Sequence, residues 1–139
     1  MRLLLDTQVM LWWLLDDPRL RTDTRGLLSA SPCVVSVASI WEVAIKHRLG
    51  KLEVPPAVFR DQSLAAGASL LPVLDGHVVE TVQLPLLHLD PFDRLLIAQA
   101  RVEGLMAVSS DRHWPGYDVS LHRVTETLKA AELKPRSQA

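Results

Sequence analysis

The stretch Asp90-Pro91-Phe92-Asp93-Arg94-Leu95-Leu96-Ile97-Ala98-Gln99-Ala100-Arg101-Val102-Glu103-Gly104-Leu105-Met106-Ala107-Val108-Ser109-Ser110-Asp111 carries one helix followed by one strand. Asp90 is placed to cap the helix, because its side-chain oxygen accepts a bond from a free N–H of the first turn. Pro91 suits the first helical position, where a missing N–H costs nothing. Asp93 falls in the first turn, where the helix dipole favours negative charge. Leu95, Leu96, Ala98 and Ala100 continue as an apolar helix. After Gly104, the run Leu105 to Val108 reads as a buried strand that ends in an acid, Asp111. Such near-continuous apolar strands belong to parallel sheets covered on both faces.

Upstream, the same alternation repeats. Leu3-Leu4-Leu5 is a short apolar run ending at Asp6, and Thr7 to Leu15 reads as a helix carrying Trp12 and Trp13. A second helix is expected over Thr22 to Ala30, capped by Thr22 or Asp23, and a second strand over Pro32 to Ser36. Ser36 or Ser39 can cap the next helix, and Ser39 with Glu42 matches the capping-box spacing. Ile40, Val43, Ala44 and Leu49 keep helical spacing up to Gly50. Ala57 to Gly67 is a further helix and Ser69 to Val73 an extended segment. Asp75 is expected to cap a helix running to Leu84. Val119 to Val124 is expected as a last edge strand, and residues 133–139 as a disordered tail. Helices alternating with short strands give an α/β fold with a mostly parallel sheet, in one domain over residues 1–132.

Composition agrees. The 139 residues are the size of one domain, and 48% hydrophobic content supports a core without staples. The single cysteine, Cys33, excludes an intrachain disulfide and is expected as a small buried hydrophobe. Asp6 breaks the first apolar run after three leucines, so no leader is expected, and no segment approaches the roughly 18 apolar residues of a membrane span. A soluble, cytoplasmic protein is expected. The formal net charge of −1 does not mark a protein that grips nucleic acid through phosphates alone.

The acids fall at special places. Asp6 and Asp111 end strands, while Asp93 and Glu42 lie near helix starts. In open α/β sheets, ligands sit at the carboxyl ends of strands. Four carboxylates at one edge repel one another unless a cation lies between them, and hard dications such as Mg²⁺ or Mn²⁺ prefer oxygen ligands. Such an ion activates water and stabilises charge on a phosphodiester. Each acid also has a plain structural reading. Asp6 can cap the helix from Thr7, Glu42 can complete a capping box or pair with Lys46, and Asp111 can close a turn with Arg112.

Other chemistries lack their motifs. The histidines show no metal-ligand spacing; His47, His77, His113 and His122 are expected in solvent, and His88 at the surface near the Asp90 turn. No Gly-rich phosphate loop and no G-x-S-x-G elbow is present. Packing is the default role for Trp12, Trp13 and Trp41. A phosphatase using Asp6 as nucleophile would want an acid two residues later, where Gln8 stands.

Taken together, Leu4-Leu5-Asp6-Thr7, Ser39-Ile40-Trp41-Glu42, His88-Leu89-Asp90-Pro91-Phe92-Asp93-Arg94 with Ala98-Gln99-Ala100, and Ser109-Ser110-Asp111 resemble the four acidic blocks of PIN-domain ribonucleases. The likeness is to the VapC-type toxins of bacterial type II toxin–antitoxin pairs, and it covers nearly the whole chain. The resemblance implies an α/β/α sandwich, a homodimer, RNA cleavage with Mg²⁺ or Mn²⁺, and a cognate antitoxin that blocks the active-site groove. It assigns Asp6, Glu42, Asp93 and Asp111 as catalytic acids, with Asp6 and Asp93 the principal metal ligands. Asp90 takes a capping or supporting role, and Arg94 positions a phosphate or pairs with Asp90. Lys46, Arg48, Arg94 and Arg112 are candidates for local RNA contacts. The contrasting expectation is a catalytically silent PIN-like module that binds a partner through the acidic groove.

Overall fold

The computed structural model describes residues 1–124; the expected tail lies outside them. Five strands form one sheet: β1 (Leu3–Leu5), β2 (Cys33–Ser36), β3 (Ser69–Leu71), β4 (Met106–Ser109) and β5 (Leu121–Arg123). Their order is β3-β2-β1-β4-β5, and every pairing is parallel. Among the described residues six helices accompany them: α1 (Thr7–Leu14), α2 (Thr22–Ala30), α3 (Val37–Arg48), α4 (Pro56–Ala65), α5 (Asp75–Glu80) and α6 (Pro91–Glu103). A 3₁₀ turn, Thr81–Gln83, extends α5. The expected α/β/α sandwich is the fold observed.

The strands are apolar on both faces because each face has its own core. Leu3, Leu5, Cys33, Val35 and Val108 pack with Val9, Met10, Trp12, Leu28 and Phe59, so α1, α2 and α4 cover one side. Leu4, Val34 and Ala107 point the other way, onto Leu96, Ile97, Ala100 and Trp114, with α6 as the main cover. Successive residues of a strand face opposite sides, so this three-layer packing requires an unbroken apolar run. Cys33 is buried, as expected.

Local endings follow the sequence closely. Asp90 caps α6 by accepting from Phe92 N–H at 2.9 Å and Asp93 N–H at 3.0 Å. Gly104 ends α6 in the left-handed conformation, φ 65°, which a residue without Cβ adopts freely. Ser36, rather than Ser39, caps α3, accepting from Ala38 N–H at 3.0 Å. Two expected caps shift by one residue: α2 starts after Arg21, and α5 starts after Leu74 rather than Asp75. His77 is 1% exposed, not solvated. It sits at the third position of α5, where its Nδ1 accepts from Leu74 N–H at 3.0 Å, as the third residue of a capping box does.

The fully buried Phe59 anchors α4, whose only other buried residue is Ser63. Phe59→Ala is expected to cost about 3–5 kcal/mol in urea unfolding, the usual range for an emptied aromatic site. A loss below about 1 kcal/mol would show that α4 is held by other contacts.

Candidate active site

The sheet order places β1 between β2 and β4, so chain connections diverge to either side of β1. Clefts open at the carboxyl ends of strands at such a switch point. α1 and α3 follow strands and begin at this edge. α6 precedes β4, so it too begins there. Three helix N-termini therefore face one cleft, and their partial positive charge favours anionic groups.

That cleft, of about 230 Å³, is lined by Asp6, Thr7, Gln8, Leu11, Glu42, Lys46, Asp90, Asp93, Ser110 and Asp111. All four acids expected from the sequence converge, with Asp90 as a fifth carboxylate. Asp6 directly follows β1 and stands at the N-cap of α1, yet its side chain makes no cap bond. Instead its Oδ2 accepts from Ser109 Oγ at 2.7 Å. Ser109 Oγ also accepts from Asp111 N–H at 3.0 Å, so one hydroxyl ties the ends of β1 and β4. Thr7 Oγ1 donates to Ser39 Oγ at 2.8 Å, tying α1 to α3. Of the two readings of Glu42, the capping box with Ser39 does not form, because Ser39 lies inside α3, and the pair with Lys46 does. Glu42 is buried and its Oε2 accepts from Lys46 Nζ at 2.8 Å, while its Oε1 is buried with no hydrogen-bond partner among the described residues.

Electrostatics follow from this crowding. Burial and repulsion from Asp93 raise the Asp6 carboxyl to about 7, against the pull of the Ser109 bond; Glu42 and Asp111 push it further. Burial and repulsion from Asp90 raise Asp93 to about 6, opposed by the bond from His88. Burial works against the Lys46 charge, but its bond to Glu42 and the attraction of Glu42, Asp90 and Asp6 outweigh this and move its pKa upward.

Three site residues differ from expectation. Arg94 does not pair with Asp90. Its guanidinium donates to the carbonyls of Pro85 at 2.7 Å, Thr81 at 3.2 Å and Leu84 at 3.3 Å, bracing the segment before α6. The Thr81 carbonyl also accepts from Leu84 N–H at 3.2 Å, closing the 3₁₀ turn. His88 is half-buried: Nε2 meets Asp93 Oδ2 at 3.2 Å and Nδ1 meets the Tyr117 hydroxyl at 2.6 Å. With Asp93 ionised, Nε2–H donates and Nδ1 accepts from Tyr117. Asp111 closes its turn with His113 rather than Arg112, accepting from His113 N–H at 2.7 Å. Ser109 and Tyr117 are the functional neighbours that sequence reasoning left without a role, and His88, expected at the surface near the Asp90 turn or against substrate, instead supports Asp93. Ser109 stands in a quoted block, but its bond to Asp6 spans 103 residues and has no local trace.

The donor set fits a hard dication. It is all carboxylate, it is buried enough to suffer repulsion, and Glu42 Oε1 has no hydrogen-bond partner among the described residues. Among the described residues, no helix is long and apolar enough to cross a membrane.

A carboxyl with a raised native pKa holds its proton more tightly when folded. Its contribution is fully present below about pH 4, and stability is lost as pH rises through about 7. Asp6→Asn, which keeps the acceptor for Ser109, is expected to stabilise the metal-free chain at pH 8 by on the order of 2 kcal/mol, with a smaller gain at pH 5. Equal denaturation midpoints at pH 8 would show that Asp6 is not under this strain.

Comparison with known proteins agrees with this fold. The chain resembles VapBC2 of Rickettsia felis, solved bound to a fragment of its promoter DNA, with TM-score 0.67, 13% identity, and coverage of 88% of this chain and 98% of that one. A toxin–antitoxin complex from Klebsiella pneumoniae gives TM-score 0.63 at 16% identity, covering 89% and 98%. FitAcB of Neisseria gonorrhoeae gives TM-score 0.61 at 16% identity, covering 87% and 96%. No curated protein sequence matches the chain. The family model for the PIN domain matches residues 3–119, which spans β1, β4 and all four converging acids, and the chain belongs to the PIN domain family.

Proposed function

We propose that this chain is a Mg²⁺- or Mn²⁺-dependent endoribonuclease, the toxin of a toxin–antitoxin pair. The observation that carries this reading is the buried carboxylate cluster with an unpartnered Glu42 oxygen at the switch point of the sheet. Asp6 and Asp93, the two acids with raised pKa values, are the principal ligands. Glu42 and Asp111 complete the shell. When bound, the dication supplies a nucleophilic water at neutral pH and offsets charge on the phosphodiester.

The chain's own groups do the rest. Ser109 fixes the Asp6 carboxylate with a single donated bond. His88 does the same for Asp93, backed by Tyr117. Asp90 sets the start of α6 and so the position of Asp93. Lys46, half-exposed beside Glu42, is the nearest cation for a substrate phosphate, and Arg48 and Arg112 are exposed for more distant contacts. Arg94 acts through the segment it braces.

A protein partner has a surface to use. Val37, Trp41, Ile45 and Leu49 are exposed along α3 at a spacing of four, hence on one helix face, and Trp41 packs edge-on against Phe92 at 5.2 Å. Phe92 adjoins Asp93, so this apolar stripe borders the acidic cleft. It supports both an antitoxin that covers the cleft and a homodimer. The solved neighbours that are toxin–antitoxin complexes agree with the first. A cytoplasmic location belongs to the same proposal.

Cleavage of total RNA by the purified chain is expected with Mg²⁺ or Mn²⁺ and not with EDTA. Asp93→Asn is expected to reduce the rate by at least about 100-fold with its circular dichroism unchanged. Parental activity in Asp93→Asn would overturn the ligand assignment. Inactivity of the folded chain, with no dication bound by calorimetry, would instead favour a binding module. Ser109→Ala is expected to weaken Mg²⁺ binding by roughly 10-fold, the usual effect of removing a group that orients a ligand. Unchanged affinity would remove Ser109 from the site.

A further inference from the structure

Beside the all-oxygen cleft lies a second set of donors. His88, from the segment before α6, and Asp111 and His113, from the segment after β4, each bring one ligand atom to within 4.8 Å of the other two. The imidazoles of His88 and His113 stack with centroids 4.7 Å apart and planes at 9°. His113 Nδ1 lies 3.1 Å from Asp111 Oδ1. All three side chains are partly open to solvent.

We propose that His88, Asp111 and His113 form a binding site for a borderline transition-metal dication of the Zn²⁺ class. Two imidazole nitrogens and one carboxylate oxygen are a donor set that Zn²⁺ favours and Mg²⁺ does not. In a tetrahedral zinc site with bonds of about 2.0–2.1 Å, adjacent donors stand roughly 3.3 Å apart. The His113–Asp111 edge is near that value, and the rest closes by side-chain rotation. Ligation through Nε2, the nitrogen facing the carboxylates, takes the other tautomer: the proton moves from Nε2 to Nδ1, Nδ1–H donates to the Tyr117 hydroxyl, and Nε2 exchanges its bond to Asp93 for the ion. A partner on the second ring nitrogen is the usual support for a zinc-bound histidine. Water completes the shell, as in zinc sites with three protein ligands.

The site shares Asp111 with the acidic cleft. Zinc there draws Asp111 and the His88–Asp93 bond away from the hard-cation centre, so it opposes Mg²⁺. This consequence rests on the proposed nuclease reading; the binding itself does not.

Zn²⁺ titration of the full chain, by competition with a chromophoric chelator and without RNA, tests it. One Zn²⁺ per chain is expected, with affinity reduced at least 10-fold in His113→Ala, unchanged in His47→Ala, and with Mg²⁺ affinity in His113→Ala moved by much less. Co²⁺ is expected to give the visible spectrum of a tetrahedral nitrogen-containing site in the parental chain and to lose it in His113→Ala. If His113→Ala does not fold, His113→Gln carries the same comparison. Zn²⁺ affinity that is unchanged in the His113 variant, or that falls equally with Mg²⁺ affinity, would overturn the site. A failure of RNA cleavage would leave these binding results untouched, so the two readings fail separately.

Discussion

The burial of several carboxylates in one cleft, together with their mutual repulsion, is the constraint around which the rest of the molecule is arranged. Asp6 and Asp93 are both raised well above an ordinary acid, and each feels the other acids as well as its own burial. Such a cluster destabilises the metal-free fold. Several features limit the damage. Three helix N-termini face the cluster, Ser109 and His88 donate bonds to the two strained acids, and Lys46 neutralises one oxygen of Glu42. These devices hold the acids in place but leave Glu42 Oε1 without a partner.

The surrounding fold supplies the rigidity this requires. β1 is the central strand, buried on both faces and paired on both edges, and Asp6 is its first residue beyond the sheet. Two separate cores, one on each face, hold β1 and β4 in register, with Leu5 opposite Val108. Asp6 N–H then donates to Val108 carbonyl at 3.0 Å, extending the ladder to the edge of the site. A shift of one residue in β1 would exchange the faces of Leu3, Leu4 and Leu5 and turn Asp6 away from Ser109.

The sequence exposed the architecture because its cues were local. An apolar run of three or four residues followed by a helical period needs no knowledge of neighbours, and α2 was expected over the residues it occupies, Thr22–Ala30. The converging acids were legible for a related reason: each stands at the end of such a run or at a helix mouth, and topology alone brings those positions to one edge. The polar network was not legible. Ser109 meets Asp6 only because β1 and β4 are adjacent, and His77 is buried only because α5 packs on α6. Arg94 likewise donates to the carbonyls of Leu84 and Pro85, in the irregular segment between the 3₁₀ turn and α6. Histidine spacing of the kind seen in zinc motifs was absent because His88 and His113 lie 25 residues apart on different segments.

Proton and cation binding are coupled in this arrangement. Near neutral pH, a carboxyl at about 7 is partly protonated, so a dication must displace that proton to gain a ligand. Affinity for the hard cation therefore rises with pH across the range in which metal-free stability falls. The same crowding that penalises the empty cleft strengthens its hold on a dication, because each ionised oxygen relieves its repulsion by coordinating. The imidazole nitrogens of His88 and His113 alongside are softer donors than these carboxylate oxygens. That difference in donor type favours softer ions at the His88–His113 side and harder ions at Asp6.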